Sequence, residues 1–161
     1  WGFNAWQAAG LPVTQEAVVP KAGNFKMKPQ PPRIATADDV LGRLGNPSSV
    51  IVDTRSDGEY TGQLVRAKRG GAIPGAVHLE WTNNLDAKGF FKSADELKTM
   101  YVEKNITPEK EVIPHCQGAY RSAHTYLALR LLGYPNVRNY LGSWGEWGNR
   151  EDLPIEHPTQ P

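Results

Sequence analysis

Residues 111–133 confine the fold more than any other stretch, because they spell a strand, a tight loop and a helix in direct succession. Glu111-Val-Ile-Pro-His115 is a short apolar run of the kind that forms a buried strand. It ends at Cys116, the chain's single cysteine. The loop Gln117-Gly118-Ala119-Tyr120 follows, with Gly118 as its hinge, and then Arg121. From Ser122 to Leu132 the pattern is that of an amphipathic helix, with Ala123, Tyr126, Leu127 and Leu131 on one face and Gly133 just past its end. A thiol at that place meets the outward N–H groups and the positive dipole end of a helix. Arg121 adds a permanent positive charge. All of this favours thiolate and moves a cysteine from its free pKa of about 8.5 towards neutrality or below. The plainer alternative is a small buried hydrophobe. The strand end, Gly118 and Arg121 weigh against it.

The rest of the chain repeats this alternation. Thr36-Ala-Asp-Asp39 opens a helix with an acidic capping box, and Gly45 closes it. Ser49-Val-Ile-Val-Asp53 is a β-branched strand, and Ser56 to Tyr60 a helical turn. A basic, Gly-rich loop over residues 62–75 leads to the strand Ala76-Val-His-Leu79. Ser93-Ala-Asp-Glu96 is a capping box for a helix running to about Lys104, and Val137 to Tyr140 is a last short strand. Short strands alternating with helices predict an α/β fold, a small parallel sheet with helices on both faces. Ligands of such sheets bind beyond the carboxyl ends of the strands, which is where Cys116 stands.

Composition removes several function classes. A formal net charge of +1 argues against a dedicated nucleic-acid binder. No apolar run approaches a membrane span. One cysteine cannot form an internal disulfide or an internal dithiol couple, so any sulfur or redox chemistry needs a second molecule. Nothing marks an oxidising compartment, and a cytoplasmic location is expected. His115 and His124 flank the loop, but two histidines and one cysteine do not make a metal site, and no metal or cofactor is expected.

Residues 14–35 carry Pro20, Pro29, Pro31, Pro32 and Gly23 and read as a linker. Before it, Trp1-Gly-Phe-Asn-Ala-Trp6 followed by Leu11-Pro12-Val13 echoes Trp144-Gly-Glu-Trp147 followed by Leu153-Pro154-Ile155. Coincidence is one reading. The other makes residues 1–13 the tail of a preceding domain of the same kind.

Four landmarks occur in one order: Val52-Asp53-Thr54-Arg55, Gly71-Ala-Ile-Pro74-Gly75-Ala76, Cys116-Gln-Gly-Ala-Tyr-Arg121-Ser122 and Tyr140-Leu-Gly-Ser-Trp144-Gly-Glu-Trp147. Together they resemble the rhodanese (thiosulfate sulfurtransferase) family. The stretch from His115 looks most like the catalytic C-terminal half of bacterial tandem-domain rhodaneses. The resemblance implies an inactive preceding domain ending at residues 1–13, a linker over 14–35 and a catalytic domain over 36–157. Its partner is then the N-terminal rhodanese domain of the same protein, in the same or a separate chain.

The resemblance also implies a reaction. The Cys116 thiolate takes a sulfane sulfur from thiosulfate or a similar small-molecule donor, holds it as a persulfide and gives it to cyanide or a thiol. Cys116 and Arg121 are the implied catalytic residues. Gln117, Gly118, Ala119, Tyr120, Ser122 and Trp81 are the implied substrate contacts. Asp53 and Arg55 support the loop. Arg121 either meets the donor's sulfonate or ties the loop to Asp53 or a neighbouring carbonyl. Trp81 either walls the pocket or packs as an ordinary aromatic. A sulfur-carrier or regulatory module serving a protein partner is the alternative. Phosphatase or arsenate reductase activity is disfavoured, because the phosphatase relatives carry one more loop residue. The loop interior is neutral and partly aromatic, unlike the cationic or Gly-Ser interiors of well-known relatives. Some relatives also carry an arginine where this chain has Glu59.

Overall fold

The computed structural model describes residues 2–28 and 31–160. Trp1 and Pro29, which enter the echo and the linker above, lie outside the described residues. Among the described residues five strands appear in chain order: β1 (Ile34–Ala35), β2 (Ser49–Asp53), β3 (Val77–His78), β4 (Glu111–His115) and β5 (Asn139–Tyr140). All pairings between them are parallel, with β3-β2-β4 in one group and β1-β5 in another. A parallel bridge between Val112 and Val137 joins the two into one layer, β3-β2-β4-β5-β1. The α-helices among the described residues are α1 (Phe3–Ala8), α2 (Ala37–Leu41), α3 (Asp57–Tyr60), α4 (Ala94–Glu103), α5 (Tyr120–Leu131) and α6 (Ser143–Trp147).

The sheet splits the core in two, because successive side chains of a strand face opposite ways. Ile51 and Ile113 point into a cluster with Ile73, Tyr140, Trp144, Trp147 and Leu153. Val50, Val52 and Val112 point into another with Leu97, Tyr101, Ile106 and Leu129. Both faces are covered, as the alternating pattern predicts.

Register then positions the chemistry. Ser49 pairs with Glu111 and Asp53 with His115, so β2 and β4 end together. The Asp53 side chain therefore lies beside the residue that precedes Cys116. β4 has the limits that its apolar run predicts, and the capping boxes at Thr36 and Ser93 both form. The Thr36 helix is shorter than expected. It stops at Leu41, and Gly45 serves a later turn at φ 71°.

The larger correction concerns α5. Its buried residues are Ser122, Thr125, Ala128 and Leu129. Ala123, Leu127 and Leu131 are on the outer face, and only Tyr126 of the expected stripe packs against the core. The inner face is partly polar because its hydroxyls find partners. Asn84 Nδ2 donates to Thr125 Oγ1 at 3.2 Å, and Tyr101 Oη donates to Asn84 Oδ1 at 2.6 Å. A buried polar group so satisfied costs little.

Candidate functional site

Cys116 leaves β4 at the carboxyl edge of the sheet and is almost fully buried. The loop after it is held from behind by α6. Trp144 N–H donates to the Cys116 carbonyl and Gly145 N–H to the Gln117 carbonyl, both at 2.9 Å. The hydroxyl of Ser143 accepts from Cys116 N–H and Ala119 N–H, each at 3.2 Å, and donates to the Tyr140 carbonyl. These bonds turn the loop carbonyls away from the thiol. The N–H groups of Gly118, Arg121 and Ser122 are left to face it, and the Ser122 hydroxyl, which donates to the Ala119 carbonyl at 3.1 Å, stands within reach.

The electrostatic result is a stabilised anion. Burial alone pushes the Cys116 thiol up, but the donors from Ser122, Gly118 and Arg121 outweigh it and hold the thiol below its ordinary value. The rate of alkylation by iodoacetamide is therefore expected to inflect well below the free-cysteine value of about 8.5. An inflection at or above that value would overturn the cradle.

The left-handed residue of the loop is Ala119, at φ 67°, not Gly118. A non-glycine residue there stores on the order of 1 kcal/mol of strain, held by the Ser143 bond. Gly145 is the glycine the site requires, since a Cβ on it would stand 2.8 Å from the Gln117 carbonyl oxygen.

Beneath the loop lies a buried ionic clasp. Arg55 Nη2 and Nε reach Asp53 at 2.6 and 2.9 Å. Nη2 also donates to the Gly71 carbonyl at 2.8 Å, and the guanidinium lies 4.4 Å over the Trp144 ring. Thr54 N–H and Oγ1 both donate to the His115 carbonyl. Asp53 and Arg55 thus tie β2, β4, the Gly71 loop and α6 together directly under Cys116. His115 is fully enclosed, and burial pushes its pKa down, so the ring is neutral at neutral pH.

Arg121 makes a different tie from the one expected of it. It forms a bidentate pair with Glu59, Nη1 to Oε2 at 2.6 Å and Nη2 to Oε1 at 2.9 Å, rather than reaching Asp53 or a carbonyl. Glu59 is buried and also accepts from Ser56 N–H and Oγ in the capping box of α3. Burial pushes its carboxyl up, but Arg121 and Ser56 hold it down at about 2. Glu59 and Ser143 are the residues that sequence reasoning did not assign to the site. The Ser-x-x-Glu spacing was visible, but a second use of the Glu59 carboxylate was not.

Tyr120 is 90% exposed at the loop tip. The Gln117 side chain donates to the Arg66 carbonyl at 3.0 Å. Trp81 follows β3, and its N–H donates to the Thr54 carbonyl. Its ring meets His124 edge-on at 5.2 Å, and Phe91 stacks on His124 from another side at 4.4 Å. Trp81 thus lines a groove along the outer face of α5 with Phe91, His124, Leu127 and Leu131. In the basic run, Arg69 is turned inward onto the carbonyls of Trp147, Arg150 and Leu153. Among the described residues no three of His, Cys, Asp and Glu are grouped to hold a metal ion, and no helix is long and apolar enough to cross a membrane.

Comparison with known proteins fits this geometry. The pattern of the rhodanese-like domain family matches residues 36–150. The thiosulfate sulfurtransferase of Azotobacter vinelandii is 43% identical over 155 residues, which cover 96% of this chain and 57% of that protein. The thiosulfate sulfurtransferase of Pseudomonas aeruginosa is 37% identical over the same shares. The sulfur carrier protein TtuD of Thermus thermophilus is 38% identical over 96% of this chain and 59% of its own length. The chain thus spans less than two thirds of the curated relatives it matches. Among solved structures, an anaerobic ergothioneine biosynthesis enzyme from Chlorobium limicola shares the fold, with a TM-score of 0.88 at 24% identity over 98% of this chain and 40% of that one.

Proposed function

The chain belongs to the rhodanese family, and from that premise we propose that it is a sulfurtransferase working through a persulfide on Cys116. The observation that carries the reading is the single buried thiol facing a ring of N–H donors with an arginine at its edge. The thiolate attacks the outer sulfur of thiosulfate or a similar donor. The donor's S–S bond breaks, and sulfite leaves with the bonding pair. The Cys116 persulfide carries its negative charge on the outer sulfur, inside reach of the same donors. Cyanide or a thiolate then attacks that sulfur, and the pair returns to Cys116 as thiolate. In this reading Gln117 to Tyr120 and Ser122 shape the pocket, Arg121 adds positive charge, and Asp53 and Arg55 hold the loop.

A cysteine-to-arginine loop with four residues between suits a sulfur atom better than a phosphoryl group. Steady-state thiocyanate production from thiosulfate and cyanide tests the proposal. Saturable turnover is expected. A persulfide that forms from thiosulfate but is released only to a protein acceptor would favour the carrier reading, and hydrolysis of an aryl phosphate without sulfur transfer would replace both. The single free thiol suits a reducing compartment, and we place the activity in the cytoplasm.

We also propose that residues 1–13 close a preceding rhodanese domain, with residues 14–35 as linker and 36–157 as the catalytic domain. Two matching hydrogen bonds support this. Trp147 is the last residue of α6 and donates its indole N–H to the Pro154 carbonyl at 2.7 Å. Trp6 in α1 does the same to the Pro12 carbonyl at 2.8 Å. Trp147 and Leu153 are buried, whereas Trp6 and Leu11 are 47% and 42% exposed. One copy is covered and the other only half so, with Asn4, Ala5 and Ala8 of α1 lining the groove on α5. Each such side chain gains about 1.5–3 kcal/mol on full burial. Hydrogen exchange over residues 2–13 is expected to slow when an N-terminal rhodanese domain, in the same or a second chain, is present. A chain that stays monomeric, with fast exchange there whether or not that domain is added, would refute it.

A further inference from the structure

At the end of β4 opposite Cys116 lies a cavity of about 530 Å³, lined by Arg33, Glu111, Arg130, Asn136 and Arg138 among others. It is a separate place. The 12 residues of α5 span roughly 18 Å between the active loop and this cleft.

Its charges do not balance. Arg138 pairs with Asp39 at 2.8 Å and Glu111 at 3.2 Å, and Arg43 pairs with Glu111 at 2.7 Å. Those two arginines and two carboxylates cancel. Arg33 and Arg130 remain, and among the described residues neither has a carboxylate partner. Arg33 Nη1 donates to the Tyr126 hydroxyl at 3.4 Å, a weak bond. Arg130 commits Nη1 to the carbonyls of Tyr134 and Pro135, at 2.8 and 2.9 Å. Both side chains line the same cleft. Two unpaired cations around one cavity repel each other, and an anion between them removes that cost.

We propose that this cleft binds a tetrahedral oxyanion, with the Arg33 and Arg130 guanidinium groups as its two forks. A guanidinium presents parallel N–H donors that match pairs of oxygens on phosphate and on sulfur oxyanions alike. The ligand is either a phosphate ester or an oxyanion from the pool that supplies the Cys116 reaction.

The test is isothermal titration of the full chain at low salt with inorganic pyrophosphate and, separately, sulfate. Each is repeated after Cys116 has been alkylated with iodoacetamide, which fills the active loop. One saturable site that survives alkylation is expected. Arg33→Gln and Arg130→Gln are each expected to weaken it by about tenfold, the scale of one lost charge-assisted contact. Tighter binding of pyrophosphate assigns the site to phosphate ligands, and equal or tighter binding of sulfate assigns it to sulfur oxyanions. Arg33→Gln is the decisive variant, because Arg33 is exposed and its loss gives up only the weak bond to the Tyr126 hydroxyl. The proposal is overturned by absence of saturable binding, by loss of binding on alkylation, or by unchanged affinity in Arg33→Gln.

Discussion

Cys116→Ser is expected to lower sulfur transfer by at least about a hundredfold while the protein stays folded. A hydroxyl is a poor nucleophile at neutral pH unless a base takes its proton. Among the described residues no such base is placed to serve it. His115, the neighbouring histidine, points its Nδ1 at the Cys116 carbonyl at 3.4 Å, and its Nε2 lies 3.6 Å from Asp53 beneath the loop. The donors that stabilise a thiolate cannot bring a serine hydroxyl, with its far higher pKa, to ionise near neutrality. The exchange removes one buried sulfur for an oxygen of similar shape, so the effect on stability is expected within about 1 kcal/mol. Thiocyanate production and a thermal melt on the same sample check both halves. A variant with normal melting and substantial residual transfer would remove Cys116 from the nucleophile's role.

Much of this site could be read from residues close together in the chain. The strand Glu111–His115, the turn at its end and the helix behind it are local patterns, and local hydrogen bonding enforces them. The Ser56–Glu59 capping box is equally local. What the sequence did not reveal is long-range. Glu59 meets Arg121 across 62 residues, and Ser143 meets Ala119 across 24. Neither pairing leaves a periodic trace. The inner face of α5 was misjudged for a related reason. Ser122 and Thr125 lie off the apolar stripe that the spacing marks, yet their hydroxyls are satisfied by Ala119 and Asn84 and can be buried. Ala119 escaped notice because glycine is the residue that ordinarily signals a left-handed position, and Gly118 stood beside it.

Glu59→Ala is expected to cost about 3 kcal/mol and to depress turnover with it. Breaking a buried pair by removing one partner costs about 3–5 kcal/mol, and the lower end applies because the Arg121 side chain is 25% exposed. Set against a total stability of about 5–15 kcal/mol, this is a large fraction. A fall in melting temperature of about 6–12 °C follows for a chain of this size. Turnover falls because Arg121, without its carboxylate, no longer has a fixed place beside the loop. Glu59→Gln separates charge from shape, since it keeps an oxygen acceptor for Ser56 and loses the ion pair. Acid sharpens the comparison. The Glu59 carboxyl is held at about 2 in the folded protein against an ordinary value of 4.5. Its contribution is therefore complete above pH 4.5 and is lost as the pH falls towards 2. Other depressed carboxylates, Asp39 among them, titrate in both proteins and cancel in the difference. The stability gap between wild type and Glu59→Gln is expected to be constant near neutral pH and to close through that acid window. A gap that stays open at pH 2 would assign Glu59 to packing, and the pairing with Arg121 would then be an accompaniment of the fold rather than a reason for it.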